Sequence, residues 1–215
     1  MVGGLPDWLE SSKNVLRYGC TWSMEGLVNE YKDDCIILKD GKEEVVAGLD
    51  GLERVESDNL GMLEAFYTSG GASHTIRSMK ERGVSNCSYK TLRYPGHRDI
   101  VHFLMRECNL CDTVMGQIFG ACGVPKTDIV IIIAQVSKGN CKWREERVVK
   151  ADNQFTAMQK ATAFPISSVA KLMAEGEMEG NKEQHRDYFT QFPKCLGYSD
   201  VPYDKFTENL KQLLD

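Results

Sequence analysis

The chain has 215 residues, of which 42% are hydrophobic and 27% are charged, and its formal net charge is -5. This composition is typical of a folded globular domain and argues against disorder. No basic stripe is present, so nucleic acid is not an expected partner. No apolar run reaches the length of a membrane span, which needs about 18 residues, and the start lacks a secretory signal pattern. We therefore expect a cytoplasmic protein that does not bind membranes.

The eight cysteines are scattered along the chain, at positions Cys20, Cys35, Cys87, Cys108, Cys111, Cys122, Cys141 and Cys195. Cytosolic thiols stay reduced, so disulfides are not expected. Only the "CNLC" segment has the spacing of half a zinc site, and no second pair follows it. We predict no metal site and interpret these cysteines as small buried thiols at a helix end.

The N-terminal third alternates strand and helix signals. In "VGGLP", Gly3 and Gly4 favour a bend after a strand that would precede Met1. The segment from Lys13 to Trp22 is predicted to be a strand, and Ser23 is predicted to cap the following helix. The segment "DCIILKDGKEEVVAGL" predicts a β-hairpin around an Asp-Gly turn.

Two strand–turn–helix units come next. "GMLEAFYTSGG" predicts a strand that ends in a glycine turn, followed by a helix from Ser73 to Arg82. "NCSYKTLRY" and "GHRDIVHFLMREC" repeat the same order. After them, "DTVMGQIFGACG" predicts a helix.

The rest of the chain predicts two long strands around a Gly-Asn turn. The run from Ile129 to Ala134 is apolar throughout, as expected of a strand that is covered on both faces. The segment Phe155 to Gly176 is a helical pattern with an expected kink or break at Pro165, and "VPYDKFTENLKQLLD" predicts a last helix. Together these signals predict one domain over residues 1–215 with a mixed α/β (α+β) fold, in which helices cover a mixed sheet.

The two strand–turn–helix units also predict a site. If their strands are parallel neighbours, both turns lie at one sheet edge, and both helices direct their N-termini there. The groups that would meet are hydroxyls, glycines, a guanidinium and a histidine, from Thr68, Ser69, Gly70, Gly71, Arg93, Pro95, Gly96 and His97. Such groups suit a carboxylate. The alternative is that Arg93 makes a surface ion pair and that the glycines only form turns.

Several other features are compatible with more than one interpretation. His97 at a helix start suits a neutral hydrogen-bond partner, but it equally suits an exposed turn residue. The adjacent Ser73 and His74 lack the Gly-x-Ser-x-Gly elbow, so a hydrolase is not expected. No Gly-Lys-Ser/Thr triplet indicates a P-loop, and no Gly-x-Gly-x-x-Gly fingerprint indicates a dinucleotide site in this chain.

The motifs "VGGLP", "TWSMEGLVNEY", "DGK", "LEAFYTSGG", "TLRYPGH" and "TAMQKATAFPISSVAKLMAEG" occur in an order that resembles the second domain of the saccharopine dehydrogenase-like oxidoreductases. That group includes saccharopine reductases, lysine 6-dehydrogenases and carboxynorspermidine synthases. The resemblance extends from Val2 to about Leu214. It implies the C-terminal, catalytic-type domain of a two-domain dehydrogenase, which binds substrate and dimerises.

The resemblance also implies a Rossmann domain that binds NAD or NADP, is absent from this chain and would precede Met1. Hydride would pass between the nicotinamide and the amine-bearing carbon of an amino acid such as saccharopine or lysine, in an enzyme that is a homodimer through its sheet. By residue, the resemblance implies that Gly3, Gly4 and Leu5 face the nicotinamide, that Trp22 and Ser23 line the pocket wall, and that Thr91 and Arg93 hold a substrate carboxylate.

One segment departs from the family pattern, because "TSGG" from Thr68 to Gly71 replaces an asparagine-arginine-aspartate segment of some members. This departure favours a substrate other than that of a strict saccharopine reductase. The alternative function is a free-standing dimerisation or small-molecule-binding domain without catalysis.

Overall fold

The computed structural model describes residues 1–178 and 200–214. The chain divides into two compact units, residues 1–158 and residues 159–215. That the two units act as one domain stays a prediction. Of the eight cysteines, Cys195 lies outside the described residues, and the other seven are free thiols.

The first unit contains a six-stranded sheet in the order β4-β5-β6-β1-β7-β8 and a separate hairpin, β2–β3. The strands are β1 Val2–Pro6, β2 Cys35–Lys39, β3 Lys42–Val46, β4 Glu53–Ser57, β5 Gly61–Phe66, β6 Thr91–Arg93, β7 Asp128–Lys138 and β8 Cys141–Lys150. Only β1 and β6 pair in parallel, and every other described pair in this sheet is antiparallel. The predicted mixed α/β class is confirmed.

In the described residues, four of the eight strands lead directly into a helix. They are α1 Trp8–Ser11, α2 Met24–Lys32, α3 Ser73–Glu81, α4 His97–His102, a π-helical turn Phe103–Glu107, α5 Asp112–Ala121, α6 Ala157–Ala174 and α7 Tyr203–Leu214. Ser23 caps α2 as predicted, because its hydroxyl accepts a hydrogen bond from the Gly26 N–H at 3.1 Å.

The two predicted hairpins are confirmed. Asp40 and Gly41 have φ values of 49° and 77°, as a type I′ turn requires at both central positions. In the second hairpin, Lys138 pairs with Cys141, which leaves Gly139 and Asn140 as the two-residue turn.

The six-stranded sheet has an apolar cluster on each face. One cluster packs under α2, α4 and α5 and includes Leu16, Tyr18, Leu27, Val28, Tyr31, Phe66, Val101, Met115 and Phe119. The other fills the concave face with Leu5, Val55, Leu63, Ala65, Leu92, Tyr94, Ile131 and Ile133. Burial continues on both faces of β7 only to Ile131; Ile132 and Ala134 are exposed, so the prediction that the run is covered throughout is wrong for these two residues.

The sheet curls until its two edge strands meet through side chains. Glu146 of β8 accepts hydrogen bonds from the Ser57 hydroxyl at 2.7 Å and from the Asn59 amide at 2.9 Å. Arg144, also on β8, donates to the Glu56 carbonyl at 2.6 Å. These bonds close the concave cluster and hold the pKa of Glu146 at about 2 against its partial burial.

Three sequence predictions are corrected here. Gly3 and Gly4 were predicted to form a bend, but both lie within strand β1 and pair with β7. The segment Lys13 to Trp22 is not a strand but an irregular segment of turns and extended backbone. Helix α6 continues through Pro165 without a break. One turn later the Ser168 hydroxyl donates to the Phe164 carbonyl at 2.9 Å, so a side chain supplies a local hydrogen bond next to the proline.

Candidate functional site

The two turns that were predicted to share one sheet edge lie at opposite ends of their strands. Strands β5 and β6 are antiparallel, with Glu64 opposite Arg93 and Phe66 opposite Thr91. The prediction of parallel neighbours is therefore wrong. A helix between two strands usually crosses over the sheet, but α3 packs against β2 instead, and the chain returns to β6 at the end where it left β5.

The second turn, around Gly96, already binds a carboxylate of the protein itself, that of Glu64. The Glu64 carboxylate accepts hydrogen bonds from the Gly96 N–H at 2.9 Å and from the Arg98 N–H at 2.6 Å, at the start of α4. Glu64 is only 5% exposed, and burial raises its pKa. A substrate carboxylate is therefore not expected at Gly96.

The first turn, from Thr68 to Gly71, is hydrogen-bonded to the C-terminal part of α2. The Ser69 N–H donates to the Glu30 carbonyl at 2.9 Å, and the Thr68 and Thr91 hydroxyls share a hydrogen bond of 2.7 Å. Gly71 is required here, because a Cβ at this position would overlap the Tyr89 ring. A cavity of about 90 Å³ lies beside this turn, lined by Asp34, Cys35, Ile36, Thr68, Ser69, Gly70, Ala72 and Tyr89.

Arg93 lies inside the protein, beneath the helices. Its side chain is buried, with 3% of the residue exposed. Its Nε donates to the Tyr31 hydroxyl at 2.9 Å, and its Nη1 donates to the carbonyls of Gly4 at 3.2 Å and Leu92 at 3.0 Å. Within residues 1–178 and 200–214, no carboxylate forms an ion pair with this guanidinium, and Nη2 donates no hydrogen bond. The alternative of a surface ion pair at Arg93 is wrong.

A chain of hydrogen bonds orients the guanidinium. The Tyr31 hydroxyl lies 3.0 Å from His97 Nε2, and His97 Nδ1 lies 2.8 Å from the Leu16 carbonyl. Because a carbonyl only accepts, Nδ1 carries the proton, and Nε2 accepts the proton of Tyr31. The order of donation is therefore Arg93 to Tyr31, Tyr31 to His97, and His97 to Leu16.

The electrostatics agree with a neutral histidine. Burial, and then the positive charge of Arg93, lower the pKa of His97 to about 3. Burial raises the pKa of Tyr31 to about 12. The interpretation of His97 as a neutral hydrogen-bond partner is supported, and its interpretation as an exposed turn residue is wrong. Both ring nitrogens have protein partners, so His97 acts on Arg93 through Tyr31.

Gly4 lies level with Arg93 on the adjacent parallel strand. Val2 is opposite Thr91 in the β1–β6 pair, which brings Gly4 and Arg93 to the same height and the same face. A Cβ at Gly3 would lie 2.6 Å from the Leu92 carbonyl oxygen, whereas a Cβ at Gly4 would meet the Met158 methyl group.

The other predicted site residues have different surroundings. Leu5 is fully buried in the concave cluster. Trp22 is half-buried, and its ring lies 2.6 Å from the position of a Cβ at Gly26. Ser23 is exposed at the start of α2. The roles of Leu5, Trp22 and Ser23 toward cofactor or substrate stay predictions.

Sequence reasoning did not single out Tyr31, Tyr18 or Thr21 as site residues. Tyr31 is on the apolar face of α2, where the sequence pattern does not distinguish a site residue from an ordinary core residue. Tyr18 and Thr21 are in the segment that was predicted to be a strand.

The described residues contain neither a metal-binding cluster nor a membrane-spanning helix. Residues 1–178 and 200–214 contain no group of three or more histidine, cysteine or acidic side chains that is arranged to hold a metal ion. In the same residues, no helix combines the length and the apolar character that crossing a membrane requires.

Comparison with known proteins identifies the family. One similar solved structure is "Apo histidine-tagged saccharopine dehydrogenase (L-Glu forming) from Saccharomyces cerevisiae", with 14% identity and a TM-score of 0.56. The match covers 83% of this chain and 58% of that one, so this chain spans less than two thirds of the yeast protein's length. At this identity the likeness concerns the fold alone. Residues 1–191 match the saccharopine dehydrogenase C-terminal domain family. The chain therefore belongs to the saccharopine dehydrogenase C-terminal domain family.

Proposed function

We propose that this domain binds a carboxylate of an amino-acid substrate in an NAD(P)-dependent oxidoreductase that acts on a C–N bond, with saccharopine or lysine as the substrate type. The observation that carries the proposal is Arg93, a buried guanidinium whose hydrogen-bond partners in the described structure are all neutral. Family membership supports the same class of enzyme.

Burying the charge of Arg93 has a free-energy cost. An ionised side chain removed from water without an opposite charge costs several kcal/mol, about the stability of a small domain. Hydrogen bonds to Tyr31 and two carbonyls lower this cost for Arg93, as does the charge of Glu30, which forms no ion pair with it within the described residues. Among the same residues, the Arg93 Nη2 donates no hydrogen bond. A carboxylate that binds there gains a charge-assisted hydrogen bond, which contributes about 1.5–3 kcal/mol.

A nicotinamide would be held mainly outside this domain. The sheet contains one parallel pair, β1–β6, whereas dinucleotide folds bind at the ends of several parallel strands. Residues Gly3 to Leu5 are the candidates for contact with the cofactor, and Gly4 is partly exposed beside Arg93. The bound cofactor would supply hydride transfer, while Arg93 orients the substrate and neutralises its charge.

We also propose that the enzyme is a homodimer through the sheet. One face of the β7–β8 hairpin exposes Val136 and Trp143 as a cross-strand pair, at 61% and 51%. Glu145 and Arg147 on the same face carry opposite charges, so a second copy related by a two-fold axis is complementary to it. Sedimentation equilibrium is expected to show a dimer that Trp143→Arg converts to a monomer. A wild-type monomer would contradict this proposal.

The carboxylate site is tested by calorimetric titration of the 215-residue chain with saccharopine, with cadaverine as the carboxylate-free control. We expect saturable binding of saccharopine and none of cadaverine. Arg93→Lys keeps the charge but not the fork, and it should weaken binding by about 10- to 100-fold. Arg144→Lys is the matched control, because Arg144 already pairs with Asp58 and Glu146; this variant should bind as the wild type does.

The proposed site is wrong if saccharopine does not bind, or if the folded Arg93→Lys variant binds it with unchanged affinity. A module without catalysis would pass the same titration. Turnover assays with NAD⁺ and NADP⁺ on the enzyme that contains this domain therefore test the chemistry separately.

A further inference from the structure

The segment from Tyr18 to Thr21 is rigid although it is not a strand. The Asn14 side chain donates to the Tyr18 carbonyl at 2.7 Å and accepts from the Tyr18 N–H at 3.2 Å. Next along the chain, the Cys20 N–H donates to the Gly123 carbonyl at 2.8 Å. The backbone is thus fixed from two sides, and it holds the side chains of Tyr18 and Thr21 in defined positions.

Those two side chains end in buried hydroxyls without partners. Within the described residues, the Tyr18 hydroxyl and the Thr21 Oγ1 are the buried side-chain polar atoms that make no hydrogen bond. Other buried tyrosines differ: Tyr94 donates to the Pro6 carbonyl at 2.9 Å, and Tyr31 donates to His97. Buried hydroxyls in native proteins are almost always satisfied, so an unsatisfied one calls for a partner.

Tyr18 lies beside the guanidinium of Arg93, and Thr21 lies beside Gly4, whose carbonyl accepts from Arg93. The Arg93 Cζ lies 5.6 Å from the centre of the Tyr18 ring. Thr21 Oγ1 lies 3.8 Å from the position that a Cβ of Gly4 would take, and the Gly4 carbonyl accepts from Arg93 at 3.2 Å. The two unsatisfied donors and the Nη2 of Arg93 therefore lie in the same region of the protein, around Gly4 and Arg93.

We infer that the Tyr18 and Thr21 hydroxyls are binding residues of the same carboxylate subsite as Arg93, and this inference rests on the proposed function. One positive charge and two neutral donors match a carboxylate, which has a single charge and two oxygens that accept several hydrogen bonds. The ligand class is therefore a monoanionic carboxylate end of a substrate.

The test uses Tyr18→Phe and Thr21→Val, which remove each hydroxyl and nearly preserve side-chain shape. Because the hydroxyls have no partner in the free protein, their removal should leave the melting temperature unchanged or raise it. Each variant should bind saccharopine about tenfold more weakly than the wild type does, as expected for a lost hydrogen bond to a charged group. The control is Tyr94→Phe, which should lower the melting temperature and leave the affinity for saccharopine unchanged.

Three outcomes decide the inference. Unchanged affinity in both hydroxyl variants, with weakened binding in Arg93→Lys, overturns the inference and leaves the proposed function in place. A lower melting temperature in both variants shows that the hydroxyls have structural partners in the free protein, and it also overturns the inference. A wild-type chain that does not bind saccharopine removes the inference and the proposed function together.

Discussion

Two buried charged residues on neighbouring strands, Glu64 and Arg93, differ in their hydrogen-bond partners. They are cross-strand partners on the same face and are 5% and 3% exposed, respectively. Glu64 turns toward the start of α4 and is bound by two backbone N–H groups. Arg93 turns toward Gly4 and Tyr31 and contacts neutral acceptors. Glu64 is therefore satisfied within the protein, whereas Arg93 is the residue for which we propose a ligand.

The contrast also distinguishes a structural residue, Glu64, from a proposed binding residue, Arg93. A carboxylate at the N-terminus of a helix satisfies N–H groups that would otherwise lack acceptors, and it interacts favourably with the helix dipole. A guanidinium with an unused terminal nitrogen has no corresponding structural explanation. We therefore expect changes at Glu64 to act on stability and changes at Arg93 to act on binding.

The largest expected effect is that of Glu64→Ala. Removing the carboxylate leaves the Gly96 and Arg98 N–H groups without their acceptor, and we expect the free energy of unfolding to fall by about 3 kcal/mol. Glu64→Gln keeps an acceptor and should cost clearly less. Urea unfolding followed by circular dichroism measures both. Equal stability of Glu64→Ala and wild type would break the contrast with Arg93.

The next largest effect is a loss of folding stability at low pH, which results from the lowered pKa of His97. Its pKa is lowered to about 3 in the folded protein, against about 6.5 when unfolded, so protonation favours the unfolded chain. The contribution of His97 is complete above pH 6.5 and declines as the pH falls from 6.5 toward 3. At pH 5 the loss is about 2 kcal/mol, at about 1.4 kcal/mol per pH unit.

His97→Gln is the reference variant, because glutamine does not titrate in this range. The stability difference between wild type and His97→Gln should shrink as the pH is lowered from 7 to 5, and ¹⁵N NMR of wild type should show a neutral imidazole with the proton on Nδ1 at pH 5. A histidine that titrates near its ordinary pKa would show that Arg93 and its buried surroundings do not act on it.

The smallest expected effect is the difference in stability between alanine variants at the two adjacent glycines of β1. In Gly3→Ala the new Cβ meets the backbone of Leu92, which has to shift, so we expect a loss of about 1–3 kcal/mol. In Gly4→Ala it meets the end of the flexible Met158 side chain, so the loss should be smaller. Thermal unfolding of both variants tests this order. A more damaging Gly4→Ala would mean that the backbone beside Arg93 is as tightly constrained as the backbone beside Leu92.

The sequence predicted most of the local structure. Ser23, the Asp40-Gly41 turn and the Gly139-Asn140 turn follow from capping and turn chemistry, which depend on a few adjacent residues. The irregular segment from Lys13 to Trp22 was missed because its order comes from contacts with distant residues, such as Gly123. The direction of β6 was missed because pairing depends on where α3 packs, which local patterns do not contain.

The candidate site was predicted in part. Arg93 was predicted, although for a different geometry, and the neutral state of His97 was one of two interpretations that the sequence left open. The role of Glu64 as the internal anion depends on a cross-strand register that periodicity cannot provide. Tyr18 and Thr21 stand out only once burial and hydrogen bonding are known, because an unsatisfied hydroxyl has no sequence signature.

The central claim is that the guanidinium of Arg93 meets a carboxylate. The most direct measurement is ¹⁵N NMR of the arginine side chains, with the Arg93 signals assigned by their loss in Arg93→Lys. The account predicts that saccharopine shifts the Arg93 side-chain signals in a saturable way, whereas cadaverine leaves them unchanged. Arg93 signals that stay in place at saturating saccharopine, or that shift equally with cadaverine, would contradict it.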